Sequence, residues 1–267
     1  YLIESINSDE MLNNRSKKSK TKEVVKNWSN FHSKAKGVKK EIFVKWIIEY
    51  KLSNYDLKEQ CYKWINSSGV LNCAWLINRL DSPTSGIILL GLNSVISDSI
   101  KIEFASRNVS KVYYAIVKQK PIRPTGTWED QLLKDLRNGK QIVKMAKVVK
   151  AKTRYKALQS PIGGFPVTLM KLMPQTGRTH QLRIQCQKHG VPIVGDRSYG
   201  NFPFNREVVA HTKIKRMLLH AAETHVHYSY RGCVRDFSVV SKLPIEFKKL
   251  LYISLCIHSY KIQTHSI

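Results

Sequence analysis

The sequence predicts an α+β protein built on a mixed, largely antiparallel sheet flanked by helices and loops. Three observations predict it. Short apolar or alternating runs that suit strands recur from Leu71 onward. The helical stretches among them do not alternate with the strands in a regular βαβ order. No self-similarity at solenoid periods is present. With 267 residues, 42% of them hydrophobic, the chain can bury the core of one large domain with appendages.

Taken in order, residues 1–40 hold ten Lys/Arg against four Asp/Glu and read as a solvated basic arm. Residues 41–70 read as a helical appendage, because EIFVKWIIEYKL and DLKEQCYKWI space their apolar residues at helical intervals. The main domain is expected over 71–255, with a tail at 256–267. Within it GIILLGL (86–92) is a short apolar run bounded by turn residues and suits a buried strand. SVISDSIKIEFASRN reads as an amphipathic helix, and KVYYAIV, β-branched and aromatic, as a strand. PVTLMKLM is a further strand that runs into PQTGRTHQLRIQCQKHG, where HQLRIQCQK has helical spacing and Gly190 is the expected C′ residue. LHAAETHVHYSY closes the series as a strand.

Charge bounds the partner. The formal net charge is +26 and the isoelectric point about 9.9. So much self-repulsion contributes nothing to folding, so it points to an anionic partner, nucleic acid ahead of an anionic membrane surface. Residues 101–160 form a second basic tract. Its LKDLRNGKQIVKMAKVVKAKTRYKAL reads as a β-ribbon or loop laid against phosphates. The five cysteines are odd in number and form no CxxC pair, which argues against a zinc site and against a disulfide framework. A reducing compartment follows. No run reaches the ~18 apolar residues of a membrane span.

One carboxylate, Asp81, stands beside Arg79 in NRLDSPTSG, just ahead of the apolar run. Alone it reads as a cap for the turn behind it. It is followed in order by KVYYAIV, PQTGRTHQLRIQ, GVPIVGDRSYG and RMLLHAAE. This series resembles the RluA-type family of RNA pseudouridine synthases, whose pattern is HRLD-x-x-TSG, K-x-Y-x-A, TGRTHQ[IL]R, G-x-P-I-x-GD-x-x-YG and a late LHA strand. The likeness runs from about residue 75 to about 250. Any single piece is weak evidence, whereas TGRTHQLR together with the others in the right order is highly specific.

The resemblance implies the pseudouridine synthase catalytic fold over 71–255 and the isomerisation of uridine in RNA, with no metal, nucleotide or redox cofactor. It assigns Asp81 as the catalytic carboxylate, Arg183 as its ion-pair partner and Tyr113 as the aromatic that packs on the target uracil. Arg79 is implied to hold the flipped phosphate or fill the vacated stack. Arg178, His180 and Lys111 are implied on the RNA, although His180 also reads as a structural hydrogen-bonder. The chemistry fits these residue types. Glycoside hydrolysis uses two carboxylates, but a base that is retained and reattached can be served by one. That one must be ionised, whether it attacks the ribose or removes a ribose proton, and an adjacent guanidinium typically lowers a carboxylate pKa by ~1–3 units. Extruding the nucleotide costs a few kcal/mol.

Three departures stand out. Asn78 replaces the usual His before RLD, Ser82 follows the Asp where a basic residue is common, and residues 41–75 supply no NKPxG segment. The expected function is therefore an RNA pseudouridine synthase acting on structured RNA, ribosomal RNA first, free or in a pre-ribosomal particle with assembly proteins. The alternative is a synthase-fold protein without activity that serves as a ribosome assembly factor. No membrane partner is expected. The basic arms, the start at Tyr1 and the divergent motifs suit a mitochondrial location.

Overall fold

The structure is a computed structural model, and it describes residues 42–43, 55–56, 58–59, 61–65, 69–133, 148–161 and 164–252. The arm expected over 1–40 and the tail at 256–267 lie outside the described residues. Strands β1 (Ile42–Phe43), β2 (Tyr55–Asp56), β3 (Cys61–Ile65), β4 (Leu71–Leu76), β5 (Ser85–Gly86) and β6 (Leu90–Gly91) lead into helix α1 (Ser94–Ser106). Then come β7 (Ser110–Lys118), β8 (Thr125–Leu133), β9 (Val148–Gln159), β10 (Val167–Pro174), α2 (Gln181–Lys188), α3 (Phe202–Thr212), β11 (Leu219–Tyr230), β12 (Cys233–Val240) and α4 (245–252). None of the described helices is long and apolar enough to cross a membrane.

The larger sheet runs β12-β11-β7-β10-β9-β8, antiparallel throughout, and β5 joins β11 in parallel. The mixed, largely antiparallel α+β architecture is thus as the sequence predicts. β7 shows how the sheet is covered. Ala115 and Val117 point into a cluster with Leu182 and Cys186 of α2. Ile116 points the other way, to Phe204 and Val208 of α3 and Phe247 and Leu250 of α4. Alternation along the strand therefore feeds two cores, one on each face. A third cluster packs Ile96 and Ile100 of α1 on Val226, Tyr228, Phe237 and Val239 of β11 and β12. The helix ends are set by sequence. Asn93 and Asn201 accept from Ile96 N and Phe204 N at 3.0 Å each, capping α1 and α3.

Two expectations are corrected. DLKEQCYKWI is not helical: β2 and β3 pair with each other, and β3 pairs with β4 from Cys61↔Trp75 to Ile65↔Leu71. Asp56, which could have capped a helix, closes the β2–β3 turn by accepting from Lys58 N and Glu59 N at 2.9 and 3.0 Å, and it binds Lys63 Nζ at 2.7 Å. Cross-strand pairing overrides the helical spacing. The described part of 41–70 is therefore strand and turn, and the expected boundary at 70/71 cuts a hairpin. The smaller sheet it belongs to runs β1-β6-β4-β3-β2. Of EIFVKWIIEYKL, only β1 is described.

GIILLGL is buried, as expected, but it is not one strand. Its first residue pairs with β11 in the larger sheet, and Leu90–Gly91 pair with β1 and β4 in the smaller one. Ile87 and Leu89, fully buried, cross between the sheets under α1. Apolar runs report burial, not which sheet they join. The crossing depends on Gly86, whose φ of +122° and close approach to β11 admit no side chain: an added Cβ would sit 2.1 Å from Ala221 O. Gly86→Ala is expected to destabilise the protein by about 2–3 kcal/mol, measured as a lowered denaturant midpoint with an unchanged slope.

Candidate active site

The segment after β4 forms a closed loop that presents Asp81. Ile77 N donates to Leu89 O at 3.0 Å, and Thr84 N donates to Asp81 O at 2.8 Å. Asn78 spans the neck: its Nδ2 donates to Ile87 O at 3.2 Å and its Oδ1 accepts from Leu89 N at 2.7 Å. The amide that stands in place of the usual His is thus the clasp of the loop. At the far end Ser85 Oγ shares a hydrogen bond of 2.8 Å with His220 Nδ1 and accepts from the Arg216 guanidinium. Burial, and secondly the Arg216 charge, push the His220 pKa down to about 4, so the ring is neutral at physiological pH.

The turn TGRTH and α2 bring Arg183 to this loop. His180, the residue before α2, is left-handed (φ 52°) and does not cap the helix with its side chain. Its ring is turned instead toward Tyr199 and Asp81. Arg183 is 4% exposed and grips Asp196, which is fully buried, through two bonds: Nε to Oδ2 at 2.7 Å and Nη2 to Oδ1 at 2.8 Å. Asp196 also accepts from Ser198 N and Tyr199 N at 2.8 and 3.0 Å. Burial alone would raise its pKa, but Arg183 and these amides together hold the carboxyl below its ordinary range. For Arg183, burial opposes the charge while Asp196 and then Asp81 favour it, and the net shift is upward.

The remaining guanidinium nitrogen faces the loop. Arg183 Nη1 lies 3.7 Å from Asp81 Oδ2, and His180 Nε2 lies 3.9 Å from Asp81 Oδ1. Both distances are too long for hydrogen bonds. The fork of Arg183 holds Asp196, and the ion-pair contact with Asp81 is made by the third nitrogen. Asp81 is 22% exposed, so its carboxylate can meet a ligand. Tyr113 stands within reach of its charge. Burial, with Asp81 second, pushes the phenol up to about 12, so it remains protonated at neutral pH. Tyr114, on the opposite face, donates to Glu223 at 3.3 Å.

Among the other expected residues, Lys111 lies on the same face of β7 as Tyr113. Its ammonium is over Phe104 (5.9 Å) and beside Gly177, and burial lowers its pKa. Arg178 Nε donates to Lys150 O at 3.1 Å, so it ties the turn to β9. Gln181 reinforces that tie: its Nε2 donates to Thr153 Oγ1 at 2.9 Å, and its Oε1 accepts from Thr176 Oγ1 at 2.7 Å. Arg79 is exposed. β8 and β9 pair as the ribbon expected of the second basic tract, and residues 134–147 lie outside the described residues. Lys150, Lys152, Arg154 and Lys156 are exposed on β9, while Ala151, Thr153 and Tyr155 are buried.

Two residues of the site were given no role from the sequence. Asp196 is the buried counter-ion of Arg183. Tyr199 carries no reading at all, yet its hydroxyl shares a 3.1 Å hydrogen bond with His180 Nδ1 and its ring lies 5.0 Å from the Arg183 guanidinium. The signal available was their presence in GDRSYG, one of the five motif pieces.

Comparison with known proteins gives a consistent picture. A family profile described as RNA pseudouridylate synthase matches residues 51–188. The chain is 33% identical over 170 residues to "tRNA pseudouridine synthase C" of Pectobacterium carotovorum subsp. carotovorum, covering 59% of this chain and 44% of the relative. It is 33% identical over 179 residues to "Ribosomal large subunit pseudouridine synthase C" of Rickettsia prowazekii (strain Madrid E), covering 65% and 55%. The chain thus spans about half the length of these relatives. Among solved structures, "Human RNA Pseudouridylate Synthase Domain Containing 1" superposes with a TM-score of 0.52 at 26% identity, over 63% of this chain and 69% of that one.

Removing the charge of Asp196 would leave the buried Arg183 with the longer Asp81 contact in place of its close counter-charge. Asp196→Asn is expected to cost about 3–5 kcal/mol, seen as a melting temperature lowered by roughly 10 °C.

Proposed function

Because the chain belongs to the RNA pseudouridylate synthase family, we propose that it isomerises uridine to pseudouridine in structured RNA, with Asp81 as the catalytic carboxylate. The single observation that carries this is the meeting of three separate segments: Asp81 on its closed loop, Arg183 Nη1 3.7 Å away, and Tyr113 within range of the same charge. An ionised carboxylate steadied by a fixed guanidinium suits a reaction in which the C1′–N1 bond breaks, uracil turns, and C5 bonds to C1′ while its proton leaves. The carboxylate acts either on C1′ as nucleophile or on a ribose proton. Arg183 supplies positive charge without capping either carboxylate oxygen by a hydrogen bond. Tyr113, protonated at neutral pH, offers a ring face to uracil and a hydroxyl beside C5. Arg79, exposed next to Asp81, is suited to the phosphate of a nucleotide turned out of its helix.

The net charge of +26 and the exposed cations of β9 support RNA as the substrate. One relative is named for ribosomal and another for transfer RNA. We assign ribosomal RNA as the substrate class and the mitochondrion as the compartment, on the basic arms and divergent motifs already described. The assembly-factor reading is favoured by the missing NKPxG segment, and the same experiment separates the two.

Asp81→Ala is expected to abolish pseudouridine formation on crosslinked target RNA while RNA affinity changes less than about twofold. Pseudouridine formation retained in that variant removes Asp81 from the role, and an unchanged pseudouridine map on deleting the protein, with defective ribosomes, favours the assembly factor. On the ribbon, Lys150→Gln with Lys156→Gln is expected to reduce the slope of log affinity against log salt by roughly 2, read from filter binding across a salt series.

A further inference from the structure

Strands β11 and β12 carry a polar cluster that the proposed reaction does not use. His225 and His227 are two apart on β11 and project from one face. The register sets Ser238 opposite His225 and Asp236 opposite His227, so four side chains form a quadrilateral on that face. The two Nε2 atoms lie 2.8 Å apart, with ring centroids at 4.3 Å. Ser238 Oγ lies 2.7 Å from His225 Nδ1. One ligand atom from each of His225, His227 and Asp236 falls within 4.8 Å of the others, the one such grouping of three among the described residues.

The backbone beneath is rigid. Val226 and Phe237, which alternate with these residues, are buried against α1. His225 is half-buried, and His227 and Asp236 are exposed. Lys111 and Tyr113 project from the opposite face of the sheet, so the cluster is separate from the candidate active site.

We propose that His225, His227 and Asp236 bind a divalent transition ion of borderline softness, represented by zinc, which clips β11 to the edge strand β12. Two Nε2 atoms turned on each other require something shared between them. Without metal it is a proton, carried by one Nε2 and accepted by the other. With metal, that proton moves to Nδ1 of its own ring and both Nε2 lone pairs reach the ion. Metal–nitrogen distances of roughly 2.0–2.1 Å put the two nitrogens about 3.3 Å apart in tetrahedral geometry, an opening that side-chain rotation supplies. Two imidazoles and a carboxylate, with a water in the fourth position, are a ligand set for zinc and its neighbours. Magnesium and calcium prefer oxygen donors throughout. Ser238 is the partner that orients a ligating imidazole through its other nitrogen. Cysteine spacing argued against a zinc site in the sequence, and this one uses no cysteine.

The test is calorimetric titration of the full chain with zinc chloride, with thermal unfolding alongside. The expected result is one saturable site per chain and a raised melting temperature. His227→Gln and Asp236→Asn should each weaken zinc affinity at least about tenfold and remove the thermal shift, and Ser238→Ala should weaken it by about tenfold. Cys233→Ser, which removes the exposed thiol at the end of the hairpin, should leave affinity unchanged. Asp236 is exposed, so Asp236→Asn remains informative should a histidine variant fail to fold. Absence of a saturable site, or equal affinity in the wild type, His227→Gln and Asp236→Asn, overturns the proposal. So does loss of binding in Cys233→Ser alone.

Discussion

The buried pair of Arg183 and Asp196 is the contact from which the candidate active site is built. Both side chains are withdrawn from water, and such a pair repays its desolvation only when geometry is good and the other polar atoms are satisfied. Here the two bonds are 2.7 and 2.8 Å, and Asp196 accepts two backbone amides as well. The consequence is geometric more than energetic. With Nε and Nη2 fixed, Nη1 has one place to be, and Asp81 is opposite it. A guanidinium can do this because its fork is planar and rigid, whereas a lysine holding Asp196 would have no second edge to present.

Asp81 is held by backbone rather than by its own side chain. The neck of its loop is closed by Asn78, and its far end is sewn to β11 through Gly86, Ser85 and His220. The carboxylate is thereby positioned yet left without a hydrogen bond to Arg183 or His180. A positioned carboxylate that keeps its lone pairs is what a nucleophile or a base needs, and it is what a cap in a turn would lack.

The same economy of contacts joins the basic face of β9 to the site. Arg178, in the turn before α2, and Gln181, the first residue of α2, bond to the backbone or side chains of β9 at Lys150 and Thr153. The exposed cations of β9 therefore stand on a strand bolted to the element that places Arg183. In the proposed reaction, RNA docked on the ribbon would be registered against Asp81 by a short path of hydrogen bonds. The far side of the same sheet holds the His225, His227 and Asp236 cluster, away from that path.

By itself the sequence indicated β7, β10, β11, α1, α2 and the family pattern, and through that resemblance it implied one site for Asp81, Arg183 and Tyr113. Each of these rests on a local signal: alternation, helical spacing or a motif of adjacent residues. Tertiary structure alone decided the rest, because those choices depend on partners remote in the chain. Cys61–Ile65 becomes a strand because β4 is there to pair with it, against its helical spacing. GIILLGL divides between two sheets because Gly86 can touch Ala221, 135 positions later. Arg183 takes Asp196 in place of Asp81 because an ionised carboxylate with no exposure must have a close counter-charge, while one at the edge of solvent can accept a looser one. No spacing in a sequence states which of two acids will be the deeper.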